Sequence, residues 1–245
     1  MSSELNPENN YGSPSQPPSP PYSPYPGGYN ASPDVPPVGP LPLGEAIREL
    51  PGQYIRVITR PGAAAFAQEQ GKAAWNIIWV QILILTVLNT IAAFVMFNFT
   101  LPSTYSTMGV PPASMQALHY FSGIFPLSYI IITPIGLLAG IGIYHLIAKA
   151  FGGRGTFTAY CYSYLLYGVP LGVVTTILGL IPFVNYLTFL VGIYEVVLQV
   201  FMTMAVHRLT GGKATLAVLI LPIIAVVLAC VLGIVLVMAA MHRSY

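Results

Sequence analysis

From residue 75 onward polar positions are rare, and apolar ones come in runs rather than alternating. Five runs stand out, at about residues 75–99, 121–148, 160–180, 183–207 and 216–241. Each is near or above the roughly 20 residues a helix needs to cross a bilayer core. The pattern predicts an all-α integral membrane fold with five transmembrane helices in one domain, residues 75–241. Trp75 and Trp79 open the first span with ring systems suited to the membrane–water boundary. Gly179 and Pro182 leave little polar room between the third and fourth spans, which predicts a tight hairpin. Pro126, Pro134, Pro170 and Pro222 predict local kinks or breaks. Gly136/Gly140 and Gly168/Gly172 have the small-xxx-small spacing that lets helix backbones approach closely.

Residues 44–74 are different. "LGEAIRELPGQYIRVITRPGAAAFAQEQGKAAW" reads as short amphipathic helices before the first span. Pro51 suits a first helical position, where its missing N–H has no partner to lose. From there Tyr54, Ile55 and Ile58 share one side and Gln53 and Arg56 another; Pro61 restarts the pattern around Phe66, with Gln68, Glu69 and Lys72 polar. Such helices can lie in the membrane interface, with Arg48, Arg56, Arg60 and Lys72 as candidate lipid-headgroup contacts. They can equally be a helical linker packed on the spans. Residues 1–43 hold 13 of the 23 prolines and the tyrosines Tyr11, Tyr22, Tyr25 and Tyr29. With so little to bury, "SPSQPPSPPYSPYP" predicts a disordered Pro-rich tail of polyproline II character. It is either a solvated spacer or a ligand for a Pro-binding domain, and no basic residue flanks the prolines as an SH3 ligand would want.

Composition sharpens this picture. Of 245 residues 55% are hydrophobic and 7% charged, against about 25% charged in an ordinary soluble domain. A water-soluble fold would have almost nothing to cover its surface. A net charge of +2 gives no footprint for nucleic acid. "MSSELNPENN" lacks a basic region followed by an apolar stretch, so no cleaved signal peptide is expected and the first span acts as the insertion signal. Flanks on one side of the spans hold Arg48, Arg56, Arg60, Lys72, Lys149, Arg154, Arg208 and Lys213, and the other side holds only Arg243. That asymmetry predicts a cytoplasmic N-terminus and a C-terminus on the opposite side.

Candidate chemistry is sparse. Cys161 and Cys230 sit in or beside apolar segments without a CxxC, and read as small hydrophobes. His119, His145, His207 and His242 are scattered, so no metal or cofactor is expected. "FGGRGTF" and "LTGGKAT" lack the GxxxxGK[ST] pattern of a phosphate-binding loop. Neither a Ser-His-Asp set nor HExxH occurs as a motif, and no enzyme activity is expected. One residue is out of place: Glu195, the sole charge within the fourth run. It falls about 18 Å along that span, near the middle of the bilayer, where a charge costs roughly 2.5–3.5 kcal/mol on insertion scales. Thr188, Gly192, Glu195, Gln199, Thr203 and His207 follow at steps of three and four, a polar and small stripe on one helix face. The stripe admits two readings. One is interhelical hydrogen bonding, with Gln81, Asn89, Ser163 and His145 as partners. The other is a proton or ion path through Glu195, Gln199 and His207.

Three stretches together resemble the Yip (Ypt-interacting protein) domain family: "PGAAAFAQEQGKAAWNIIWVQ", "GGRGTFTAYCYSYLLYGVP" and "AVHRLTGGKATLAVLILP". The resemblance covers about Leu43 to Met241 and rests on order and spacing. It implies a five-span membrane protein with a cytoplasmic N-terminal tail and a role in membranes, not catalysis. Eukaryotic members resemble trafficking factors that bind prenylated Rab GTPases. The tail lacks their acidic and "DLYGP"-like motifs, so the chain looks more like a prokaryotic member, which would place it in the cell membrane, and no family site residue carries over. The expected function is a membrane-organising or trafficking-like scaffold or adaptor; the alternative is a small transporter or channel-like protein. The expected partners are the lipid bilayer, proteins that engage the tail, and a second copy of the chain.

Overall fold

In the computed structural model the described residues are 39–109, 112–181, 184 and 186–243. Most of the Pro-rich segment, residues 1–38, therefore lies outside them, as does part of the link between the third and fourth spans. The described elements are helical: α1 (Leu43–Thr59), α2 (Ala63–Glu69), α3 (Trp75–Val95), α4 (Leu101–Thr107), α5 (Pro112–Ala150), α6 (Phe157–Leu180), α7 (Leu187–His207) and α8 (Gly211–Arg243). A short 3₁₀ turn, Gln70–Lys72, follows α2, and a π-helical segment, Met96–Thr100, joins α3 to α4. Five stretches are long and apolar enough to cross a membrane: Trp75–Thr107, Tyr120–Ala150, Phe157–Leu180, Leu187–His207 and Gly211–Leu236.

The first span outruns its predicted end at residue 99. Ser103, Thr104, Ser106 and Thr107 turn their hydroxyls back onto carbonyls three or four residues earlier. These bonds satisfy the hydroxyls without water, so the polar segment can stay within the helical span. Of the kinks or breaks expected at the prolines, no break occurs: Pro126 and Pro134 lie inside α5, Pro170 inside α6 and Pro222 inside α8.

The packed core sits at one end of the bundle. It gathers Ile77, Ile78, Ile82 and Leu85 from α3, Tyr160, Leu165, Leu166 and Tyr167 from α6, and Leu198, Met202 and Val206 from α7. Ile141 joins from α5, and a satellite cluster of Ala148, Leu209 and Ala214 seats the start of α8. Toward the other end the spans show large apolar side chains outward, among them Ile131, Ile177, Phe189, Leu190, Val227 and Leu236. Lipid tails are as apolar as these residues, so leaving them uncovered is not penalised in a bilayer as it would be in water.

α1 and α2 close the packed end. α1 buries Ala46, Leu50, Gln53 and Val57, a stripe at steps of four and three. That stripe corrects two expectations. The helix starts at Leu43, eight residues before Pro51, because Ala46 and Leu50 extend the buried face; their burial outweighs the backbone bond that an interior proline removes. Gln53 faces the bundle and Ile55 faces out, 63% exposed, because the Tyr162 hydroxyl of α6 is buried there and donates to Gln53 Oε1 at 2.7 Å. Tyr54 likewise donates to Gln81 Oε1 of α3 at 3.2 Å. Phe66 of α2 is fully buried and meets the Tyr167 ring edge-to-face at 6.1 Å.

An ion-pair cluster ties α1 to α2. Glu69 is fully buried and is bonded by Arg56; Lys72 Nζ lies 3.0 Å from its other oxygen and 2.8 Å from Glu49. A carboxylate taken out of water needs such partners. The bond from Lys72 is the main reason the Glu49 carboxyl is held below its ordinary pKa. For Lys72, burial by itself would lower the pKa, but the bonds to Glu49 and Glu69 outweigh it and the ammonium sits above its ordinary value.

These shifts set a pH window. Stability from Glu49 is present above its ordinary 4.5 and is lost as pH falls through the lower folded value. Stability from Lys72 is present below its ordinary 10.5 and is lost as pH rises through the higher folded value. Thermal unfolding in detergent is therefore expected to plateau between those limits, with the acid limb flattened by Glu49→Gln. Glu69→Gln strands two cations. Arg56 is 46% exposed, so the loss should be about 1–3 kcal/mol rather than the larger penalty of a fully buried pair; an unchanged melting midpoint would show that the cluster contributes nothing.

Candidate functional site

The predicted stripe on α7 changes character along the helix. Thr188, Gly192 and Glu195 are half-buried, whereas Gln199, Thr203 and His207 are buried. Glu195 makes no hydrogen bond or ion pair among the described residues. The enclosed half does gather partners. Thr203 Oγ1 is 3.2 Å from the Tyr160 hydroxyl. Gln199 lies against the hydroxyls of Tyr144 and Tyr160. The His207 ring packs at a tilt against His145 of α5, 4.8 Å between centroids, and against Tyr160, 5.0 Å away. Of the partners foreseen, His145 reaches the stripe; Gln81 is used by Tyr54 and Ser163 Oγ has no partner.

His207 joins three spans. Its Nδ1 accepts from the Gly155 N–H at 3.2 Å. Its carbonyl, one of the orphans at the end of α7, accepts from the Arg154 N–H at 3.2 Å. A neutral ring that accepts at Nδ1 carries its hydrogen at Nε2, and Nε2 is buried without a partner, as are His145 Nδ1 and Gln199 Nε2. The Gly155 bond thus occupies one ring nitrogen and fixes the tautomer. Among the described residues no group of three or more His, Cys, Asp or Glu could hold a metal ion.

The segment "FGGRGTF" is built for this joint. Gly152 takes a positive φ of 92°. The Gly152 and Gly153 N–H groups bond back to Lys149 and Ala148, which ends α5 in a Schellman motif. A Cβ at Gly153 would lie 2.6 Å from His207 Nδ1, and one at Gly155 would lie 2.5 Å from the Val206 carbonyl oxygen. Thr156 then caps α6 through Ala159 N–H. The sequence pattern "GGRG" carried this signal: its second and third glycines, Gly153 and Gly155, serve close backbone approach to α7.

Arg208 follows directly, in the left-handed region at φ 56°. Glycine or asparagine is the usual residue at such a helix end; an L side chain there costs about 1–2 kcal/mol. Of the four basic residues foreseen at the headgroups, Arg48 and Arg60 are exposed, whereas Arg56 and Lys72 are engaged in the α1–α2 ion pairs. Arg154 and Arg208 were not foreseen as a pair, because 54 positions of sequence separate them.

A profile of the Yip1 domain matches residues 55–234, well over half of the chain. The chain belongs to the Yip1 domain family. No curated protein and no solved structure matches it. Within this Yip1 domain the matched range takes in the last turn of α1, residues 55–59, all of α2 and most of the five spans, so α2 is part of the domain, whereas Ala46, Leu50 and Gln53 of α1 precede the matched range. The protein is an integral membrane protein of multiple apolar helices.

Gly155→Ala should force the loop off α7. The Cβ meets backbone, which cannot swing aside, so the expected loss is about 1–3 kcal/mol, read as a lower unfolding midpoint of the detergent-solubilised chain. Gly212→Ala, where the added Cβ meets open space, serves as the control; equal midpoints for the two variants would refute the close-approach role.

Proposed function

We propose that this Yip1 domain protein is a non-enzymatic, membrane-organising scaffold or adaptor. The observation that supports this reading is the family match over residues 55–234 on a bundle whose packed end carries its polar chemistry in structural bonds. α1 also leaves the apolar side chains Leu43, Ile47 and Ile55 exposed outside its buried stripe. Shallow insertion of those side chains, with Arg48 and Arg60 at phosphate level, would let α1 engage a bilayer surface. In this reading the basic end lies in the cytoplasm, the N-terminus with it and the C-terminus opposite. The Pro-rich segment reaches partners from there.

A second reading, transport, is favoured by one observation: Glu195 has no hydrogen-bond partner among the described residues, and Gln199 Nε2 and His207 Nε2 are buried without one. Glu195→Gln separates the two. The scaffold reading expects a stability change within about 1 kcal/mol and no effect on ion or solute flux in proteoliposomes. A flux abolished by Glu195→Gln in a chain that still folds would replace it.

Removal of residues 1–38 tests the adaptor role directly. Crosslinking in native membranes should enrich a defined protein with the full chain and lose it with the shortened chain, while both insert equally. Identical recovery from both would make the segment a spacer and end the tail-mediated part of this reading.

A further inference from the structure

A pocket of about 380 Å³ opens at the packed end, lined by Gln70, Arg154, Gly155, Thr156, Val206 and Arg208 among others. Two arginines line it, and neither makes an ion pair with a carboxylate among the described residues; the ion pairs there belong to Arg56 and Lys72. Glu69, next in sequence to Gln70, is already shared by those two cations. Arg154 and Arg208 are brought together by construction. Arg154 is positioned by its own N–H to the His207 carbonyl, and Gly155 by its N–H to His207 Nδ1. Arg208 is held in a backbone conformation that L residues avoid, and strained positions of this kind concentrate where a side chain must be aimed.

We propose that this pocket binds a phosphate-bearing anion, presented there by the headgroup of an anionic phospholipid. Guanidinium groups match phosphate oxygens with paired hydrogen bonds. Gln70, another lining residue, can supply an amide donor, and the positive end of the α6 dipole lies at Thr156. The pocket volume is in the range of sites for small ligands. Its position decides the source: α5 ends at Ala150, α6 begins at Phe157 and α7 ends at His207. The site therefore lies where spans leave the hydrocarbon and lipid phosphates are concentrated. It is distinct from the α1 surface of Arg48 and Arg60, and it does not depend on the scaffold reading.

Native mass spectrometry of the full chain in non-ionic detergent, titrated with phosphatidylglycerol or phosphatidylcholine, tests this. One phosphatidylglycerol per chain should be retained in preference to phosphatidylcholine. Arg154→Gln and Arg208→Gly should each weaken retention roughly tenfold or more, the scale of losing a hydrogen bond to a charged group. Arg208→Gly keeps the left-handed turn that glycine adopts freely, so a wild-type melting midpoint in that variant separates ligand loss from misfolding. Arg48→Gln should leave retention unchanged. Equal retention of the two lipids, or undiminished retention in a folded Arg154→Gln/Arg208→Gly double variant, would overturn the site. Displacement of the lipid by inorganic phosphate alone, with the same arginine dependence, would overturn the lipid as the source and assign the pocket to the free anion.

Discussion

Two backbone donors, the N–H groups of Arg154 and Gly155, meet His207 at the end of α7, and the packed end of this protein is organised around that meeting. A helix end inside or beside a membrane has carbonyls that water does not reach, so another part of the chain must satisfy them. Here the link between α5 and α6 does so. The consequence is geometric: the end of α5, the start of α6 and the end of α7 are held at one point. His145, Tyr160 and Thr203 then fall around the His207 ring, and Arg154 and Arg208 fall beside it. Glycines at 153 and 155 are the condition for this, because a single Cβ at either would collide with α7.

The same logic extends outward. Tyr162 of α6 donates to Gln53 of α1, Gln53 to Glu49, and Lys72 bridges Glu49 to Glu69, which also takes Arg56. This continuous series runs from the buried core to charges at the surface. α1 and α2 therefore attach through hydrogen bonds and ion pairs as well as through Phe66, Leu50 and Val57. The far ends of the spans need no such arrangement. In lipid an outward Ile or Leu is not penalised, so the chain can concentrate its buried core and its ion pairs at one end.

Much of the fold was legible in the residues. The five apolar runs located five spans because hydropathy and length are local properties, and the three motif stretches resembled the Yip family in order and spacing. The α7 stripe was also legible as a face, since helical periodicity is local. Which half of that face would be enclosed was not. Gln199, Thr203 and His207 are buried and Glu195 is half-buried because α5 and α6 supply tyrosines and His145 to the lower half, and periodicity on one helix says nothing about its neighbours. Gln53 was misread for the same reason: its polarity suggested solvent, and the Tyr162 hydroxyl that makes it a buried residue lies 109 positions away.

The sequence by itself determined that this chain lives in a membrane, how many times it can cross, and that it has no charge to spare for a water-facing surface. Those are additive consequences of composition and run length. Only the tertiary structure decided that Lys72 and Arg56 serve a buried carboxylate, that the "GGRG" glycines serve a helix end, and that Arg154 and Arg208 share a pocket. Each depends on a contact between residues far apart in the chain, and such contacts are set by how helices pack together, which no single stretch encodes.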